Sequence, residues 1–502
     1  MKLPLLDSII FFGLTLGNII LGASFYFRNK TTDQFTAGGR KLPAWVVGMS
    51  IFATFVSSIS FLALPGKAYA TNWNAFVFSL SIPFAIIMTV KFFIPLYRGI
   101  GNISAYYYLE QRFGAWARIY ASVCYILTQL MRTGAILMLL ALPLNALFGW
   151  NIKTVIILTG IMVMFYTMLG GIKAVIWTDA IQGIILITGA IVCALILTFS
   201  MPEGPGQLFR IAAENHKFSL GSFGSSLSES TFWVVLIYGL FINLQNYGID
   251  QNYIQRYMTT SSDKEAKAST IFGSLLYIPV SLVFFYIGTA LFSYYTARPE
   301  LLPAELSVTG ASDKVFPYFI AAGLPAGITG LLIASIFAAG MSTVATSLNS
   351  TATIVLNDYY KRYFNRNAGE KISMRVLYIA SFATGALGIV IALSLVGVES
   401  ALDAWWSLAS IFSGGMLGLF LLGFFSKKAL RIDAVIGVTF GVLVIIWMSL
   451  SPLYFTEGRT LAFRSPFHTN LTIVFGTMAI FLVGFLMTEV LNRKHSPNPP
   501  EH

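Results

Sequence analysis

Apolar runs of about twenty residues or more follow one another along nearly the whole chain, separated by short polar connections. They lie at 7–27, 43–69, 75–98, 117–149, 152–171, 176–201, 231–253, 269–297, 324–358, 375–397, 402–425, 432–451 and 469–491. A helix satisfies its own backbone inside hydrocarbon, so this succession predicts an all-α integral membrane protein with about 13 transmembrane helices. The longer connections, 202–230, 298–324 and 361–374, are too short to hold a domain of their own. The tail HSPNPPEH is polar and reads as disordered.

Alternate connections separate by their basic residues. One set includes Arg28, Lys30, Arg40 and Lys41, then Arg98, Arg112 and Arg118, and further on Lys361, Arg362, Lys427 and Lys428. It carries about two thirds of all 32 Lys and Arg, which places it in the cytoplasm, with the N-terminus outside and the C-terminus inside. The first run does not read as a cleaved signal peptide. Only Lys2 precedes it and no small-residue cleavage site closes it, so it is expected to be a first membrane helix.

Composition narrows the function. Hydrophobic residues make up 56% and charged residues 11%, and the mean hydropathy is +0.74. A net charge of +11 would suggest nucleic acid in a soluble chain, but the loop bias accounts for it here, so no nucleic-acid partner is expected. Cys124 and Cys193 both fall in apolar spans, which argues against a disulfide framework. All four histidines lie outside the spans, which removes an imidazole metal site and a histidine proton relay. No H-E-x-x-H, G-x-S-x-G or Walker segment is present, leaving a membrane enzyme as a weak alternative and no catalytic residues to name. No filter sequence suggests a channel.

Polar residues deep in a span carry the remaining signal. In Ile333–Ser350, Ala339, Ser342, Thr343, Thr346 and Asn349 recur at helical spacing and form one stripe. The stripe reads either as close helix packing or as an oxygen-lined site for a hard cation such as Na⁺. Ser57, Ser58 and Ser60 cluster near the middle of 43–69 and suit a helix interrupted at mid-membrane, or serines bonded back to their own helix. Arg132 and Asn243 lie at a similar depth, so four helices bring polar groups to one level, as a midplane site requires. Arg132 is expected to hold an anionic group of a substrate, or to form a structural pair with Asp179 or Asp250. Asp179 reads as a cation ligand on an inward path or as a helix cap. The polar run NLQNYGIDQNYIQR lines an inner exit or marks where a helix leaves the lipid.

The stretches TAGGRKLPAWVVGMSIFATFVSSISF, NISAYYYLEQRFG, GGIKAVIWTDAIQG, YIQRY, FAAGMSTVATSLNSTATI and LLGFFSKKALRIDAVIGV, in that order, resemble the sodium:solute symporter family. The sialic-acid branch is the most similar, through an arginine at the position of Arg132 and a polar N-x-Q run at Asn243–Asn246. The resemblance implies a LeuT-type 5+5 inverted-repeat core. Its first repeat would be 37–201 and its second 202–428. A first helix and loop (1–36), two C-terminal helices (429–492) and the tail (493–502) would be additions.

It implies a core sodium site from the backbone oxygens of Ala53, Val56 and Ala339 and the hydroxyls of Ser342 and Thr343. Some members hold a second sodium at the positions of Asp179, Ser342, Ala345 and Thr346, where alanine at 345 supplies no hydroxyl. The substrate pocket maps to Ser57, Ser60, Ser79 and Arg132, with Asn243 and Asn246 nearby; that branch has a glutamine where Ser79 stands. The implied activity is Na⁺-coupled import of a small polar solute by a monomer in a bacterial inner membrane. An acidic sugar such as sialic acid is the first expectation, and a neutral sugar or a monocarboxylate stays open.

Overall fold

A computed structural model describes residues 4–28, 30–306, 312–396, 414–455 and 462–493, and all of its regular elements are helical. Ten helices among the described residues are long and apolar enough to cross a membrane, eleven when one bent pair is taken as a single span. We label the principal helices α1 (Leu5–Ser24), α2 (Ala44–Phe55), α3 (Ser58–Ala70), α4 (Trp73–Ile100), α5 (Ala115–Phe148) and α6 (Ile152–Phe199). Then follow α7 (Phe232–Ile249), α8 (Gln251–Tyr257), α9 (Asp263–Ala297) and α10 (Ile328–Ile354). The last are α11 (Glu370–Ser394), α12 (Met416–Phe425), α13 (Arg431–Tyr454) and α14 (Leu471–Arg493). Of the expected span at 402–425 only α12 lies within the described residues, and the tail after Arg493 lies outside them.

Helix α6 is 48 residues long, roughly 72 Å at 1.5 Å per residue and more than twice the hydrocarbon thickness. It is interrupted at Gly171, whose φ of 56° and ψ of −161° are not helical. The interruption falls where the apolar pattern divides two spans. Any side chain there would also strike Phe35, since a Cβ would come within 2.9 Å of its carbonyl oxygen. Glycine answers both demands.

The centre of the protein is α10. In its most apolar window 89% of residues are buried, and Ser342, Thr343, Thr346 and Asn349 are all inaccessible. The hydroxyl stripe therefore faces protein on every side, not lipid. Helix α10 packs against α1, α5, α6 and α11, and it also touches both α2 and α3. Helix α9 runs along the other side of α2 and α3. A Cβ added at Gly273 would lie 2.2 Å from the Gly48 carbonyl oxygen, and one at Gly288 2.1 Å from that of Pro65. The two small residues let α9 cradle both halves at backbone contact.

The N-terminal helix is fixed by one side chain. Asp7, on α1 and buried, accepts hydrogen bonds from the amides of Gly327 and Gly330, each at 2.7 Å. Those amides open α10, whose first turn has no intrahelical acceptors and carries the positive end of the helix dipole. A carboxylate from another helix thus acts as the cap.

At the opposite end of α10 the charges are shared. Arg118 donates to Glu110 at 2.7 Å and to Asp358 at 2.5 Å, and Ser104 donates to Asp358 at 2.9 Å. Arg362 also pairs with Glu110. Burial alone raises the Glu110 carboxyl, but hydrogen bonds from Arg362 and Arg118 outweigh it and hold the group below its ordinary range.

Asp7→Ala is expected to lower the stability of the purified protein by about 1.5–3 kcal/mol, the scale of hydrogen bonds to a charged group, read as thermal unfolding in detergent. The lowered Glu110 value gives a signed pH effect. Its stabilisation is full above the unfolded glutamate range near about 4.3 and is lost as pH falls through the lower folded value. Acidification through that range should destabilise the native protein more than Glu110→Gln, compared by melting temperature at each pH.

Candidate functional site

Two helices break near the middle of the fold. The first break follows Phe55: Val56 is extended (φ −80°, ψ 111°), and Ser57 caps α3 by accepting the Ser60 amide at 3.4 Å. The halves α2 and α3 meet at 53°. The serines offer the backbone local hydrogen bonds that compete with a continuous helix, so the chain parts there. Pro65, further along, stays inside α3. The break takes donors away from the last carbonyls of α2 and leaves its negative dipole end facing the gap.

Ala53 and Val56 lie at the end of α2, and Ala339, Ser342 and Thr343 lie on α10, a helix that touches α2; all five are buried. Their backbone and hydroxyl oxygens make a donor set suited to a hard monovalent or divalent cation. No cluster of three or more His, Cys, Asp or Glu occurs among the described residues. Thr343 donates to the Ala339 carbonyl at 3.1 Å, and Ser342 donates to Asp179 Oδ1 at 2.6 Å.

The second break, at Asp250 (φ −77°, ψ 126°), is one the polar pattern did not disclose. Asp250 caps α8 by accepting the Asn252 amide at 2.7 Å. The α8 part of the polar run around Asp250 does not mark where a helix leaves the lipid, because all seven of its residues are buried. Gln251 accepts the Ala105 amide and donates to the Ile103 carbonyl, both at 2.8 Å. Asn252 accepts from Tyr125 at 2.9 Å. Gln255 donates to the Thr36 carbonyl at 2.6 Å and to Asn349 at 2.8 Å.

Arg256 is the most connected residue of this plug. Its guanidinium donates to Ser50 Oγ at 2.8 Å, the Asn252 carbonyl at 2.7 Å, Thr346 Oγ1 at 2.8 Å and Asp179 Oδ2 at 2.7 Å. Both members of the Arg256–Asp179 pair are 0% exposed. Ser50 also donates to Asp179 Oδ2, at 2.6 Å. Asp179 is therefore no cap. Asp179 and Thr346, read from sequence as positions for a second cation, do come together, with a guanidinium between them. The available signal was the spacing of Gln251, Asn252, Gln255 and Arg256, which makes one wide polar face on a helix.

Arg132 forms neither of the structural pairs that its depth suggested. Asp179 is taken by Arg256 and Asp250 caps α8. Among the described residues Arg132 has no carboxylate within ion-pair distance. It donates to the Thr54 carbonyl at 3.4 Å, which places it at the negative end of α2, at the break beside Ser57. Ser57 is buried and Ser60 half-buried. Ser79 is buried against Ser281 at 2.9 Å. Asn243 donates to Ser81 at 3.0 Å and so ties α7 to α4, while its buried carbonyl oxygen has no partner. Asn246 is half-buried. Below the break Phe55 stacks on Tyr247 at 5.3 Å and meets Tyr277 at 4.5 Å, making an aromatic floor between the gap and α8.

Known proteins resemble this chain in sequence and in fold. Residues 35–441 match the sodium:solute symporter family. The sodium/sialic acid symporter SiaT of Proteus mirabilis is 36% identical over 87% of this chain and 88% of its own length. The sodium/sialic acid symporter NanT of Aliivibrio fischeri is 34% identical over 94% of this chain and 90% of its own. A solved Na⁺-coupled sialic acid symporter in a substrate-bound outward-open state superposes with a TM-score of 0.88 at 32% identity, covering 97% of this chain and 98% of that one. The multi-pass helical architecture is thus LeuT-like, and the relatives are transporters, not enzymes. On sequence and on fold alike, this chain belongs to the sodium:solute symporter family.

Proposed function

We propose that the protein imports an acidic sugar of the sialic-acid class together with Na⁺ by alternating access, as a monomer in a bacterial inner membrane. The observation that carries the reading is Arg132, a guanidinium at the helix break with no carboxylate of the described residues within ion-pair distance. A substrate carboxylate supplies that partner, with Ser57 and Ser60 offering hydroxyls to the sugar and Asn246 a further amide. Sodium binds at the carbonyls of Ala53, Val56 and Ala339 with Ser342 and Thr343, joining α2 to α10. By linkage each of the two ligands raises the other's affinity, by about 1–3 kcal/mol of coupling. One ion per cycle fits the site, because the Asp179–Thr346 position already holds the cation of Arg256. The distribution of basic connections supports a cytoplasmic side for α8 and the charge cluster around Arg118, with the N-terminus outside.

A monocarboxylate is the second reading. Ser79 is held by Ser281, so it leaves the outer wall of the pocket with no long polar side chain at that position.

Uptake into proteoliposomes with an imposed inward sodium gradient separates these. Sialic acid should accumulate with the gradient and not without it; accumulation of lactate-sized acids alone would favour the second reading, and equal uptake without sodium would overturn both. Arg132→Ala should reduce uptake of the anionic substrate by about 30-fold or more, the cost of leaving a charge unpaired, while any neutral solute is spared. Ser342→Ala should raise the sodium concentration for half-maximal uptake about tenfold, equivalent to about 1.4 kcal/mol.

A further inference from the structure

One carboxylate touches both the ion site and the inner plug. Asp179 Oδ1 receives the Ser342 hydroxyl at 2.6 Å, and Oδ2 receives Arg256 at 2.7 Å and Ser50 at 2.6 Å. A hydroxyl has one hydrogen and two lone pairs. With its hydrogen committed to a carboxylate, the Ser342 oxygen keeps both lone pairs for a cation and gains electron density through a short charge-assisted bond. The same bond fixes the rotamer of a residue that the sodium reading makes a ligand. On the other arm, Arg256 reaches back along α8 to its own Asn252 carbonyl and across to Thr346 on α10, so its position is the position of the plug.

We propose that Asp179 is a positioning residue that links the core sodium site, through Ser342, to closure of the inner plug, through Arg256. The inference rests on the sodium reading above and adds a route by which occupancy of the ion site is felt at α8. Sodium draws on the Ser342 oxygen and holds that side chain in place. Asp179 is then held with it, and Arg256 stays docked. When the ion leaves, Ser342 is free to turn and the carboxylate loses one of its three donors. That weakens the hold on the guanidinium and lets α8 move. Here Asp179 acts on sodium without touching it.

The test uses the full-length protein in detergent, with equilibrium binding of radiolabelled Na⁺ and hydrogen exchange of the 250–258 amides, neither of which requires transport. Removing one charge alone strands the other in the interior, so the informative variant neutralises both, Asp179→Asn with Arg256→Gln. Expected are a dissociation constant for Na⁺ raised about tenfold, the scale for partners that orient a metal ligand, and exchange at 250–258 that is faster and no longer slowed by Na⁺. Adding Ser342→Ala to this pair should give a constant no weaker than Ser342→Ala alone, because Asp179 works through that hydroxyl.

A neutralised pair that binds Na⁺ within about twofold of the native protein, or losses that multiply in the triple variant, would overturn the proposal. So would unchanged exchange at 250–258. If Ser342→Ala itself binds Na⁺ normally, the core site fails and the coupling with it; a normal loss in Ser342→Ala beside an unaffected pair variant removes the coupling alone.

Discussion

Arg256 and Asp179 face each other at 2.7 Å with no access to water, and the residues around them are arranged to make that tolerable. Moving two charges out of water costs several kcal/mol per ion, and their attraction repays it only when the other donors and acceptors are also met. Here they are met from four directions: Ser50 on α2, Asp179 on α6, Asn252 on α8 itself, and Ser342 and Thr346 on α10. Loss of one partner would strand the other at a cost of about 3–5 kcal/mol. The pair therefore sets a geometry more than it adds stability, and it does so where elements from both ends of the chain converge.

The two helix breaks follow from the same constraint, applied to backbone. Inside a bilayer an unwound segment survives only where protein groups or a ligand satisfy it. Around Asp250 protein groups do so, through the cap on Asn252 and the buried amides of α8. Around Val56 the Thr54 carbonyl of α2 accepts from Arg132, while Ser342 and Thr343 on α10 donate to Asp179 and to their own helix. One break is thus sealed by the protein and the other is left with oxygen atoms to offer. Two similar departures from helix thus end in different surroundings.

Much of this was legible because it is periodic or local. Apolar runs of membrane length marked the spans, and the stripe from Ala339 to Thr346 showed its period before its surroundings were known. The serines at 57–60 suggested a break, and Ser57 makes the cap that opens α3. What escaped depends on partners distant in sequence. Arg256 was visible as a basic residue in a polar run, yet nothing in its neighbourhood named Asp179, 77 residues earlier. Arg132 had two candidate carboxylates by depth and lies within ion-pair distance of neither: Asp179 pairs with Arg256, and Asp250 caps α8. Asp250 reads as one more polar residue until its backbone angles show a second break. Gly171 was marked as a boundary between two apolar runs, but its close approach to Phe35 was not.

The bond from Asp7 to the start of α10 spans 320 residues. Ribosomes add about 5–20 residues each second, so the first helix enters the membrane on the order of tens of seconds before the amides it serves exist. During that interval its carboxylate has no amide to meet and stays hydrated near the bilayer edge, where Asp7 lies in the first turn of its helix. The carboxylate cap on α10 is accordingly made late in synthesis, although α1 already has α6 to lie against.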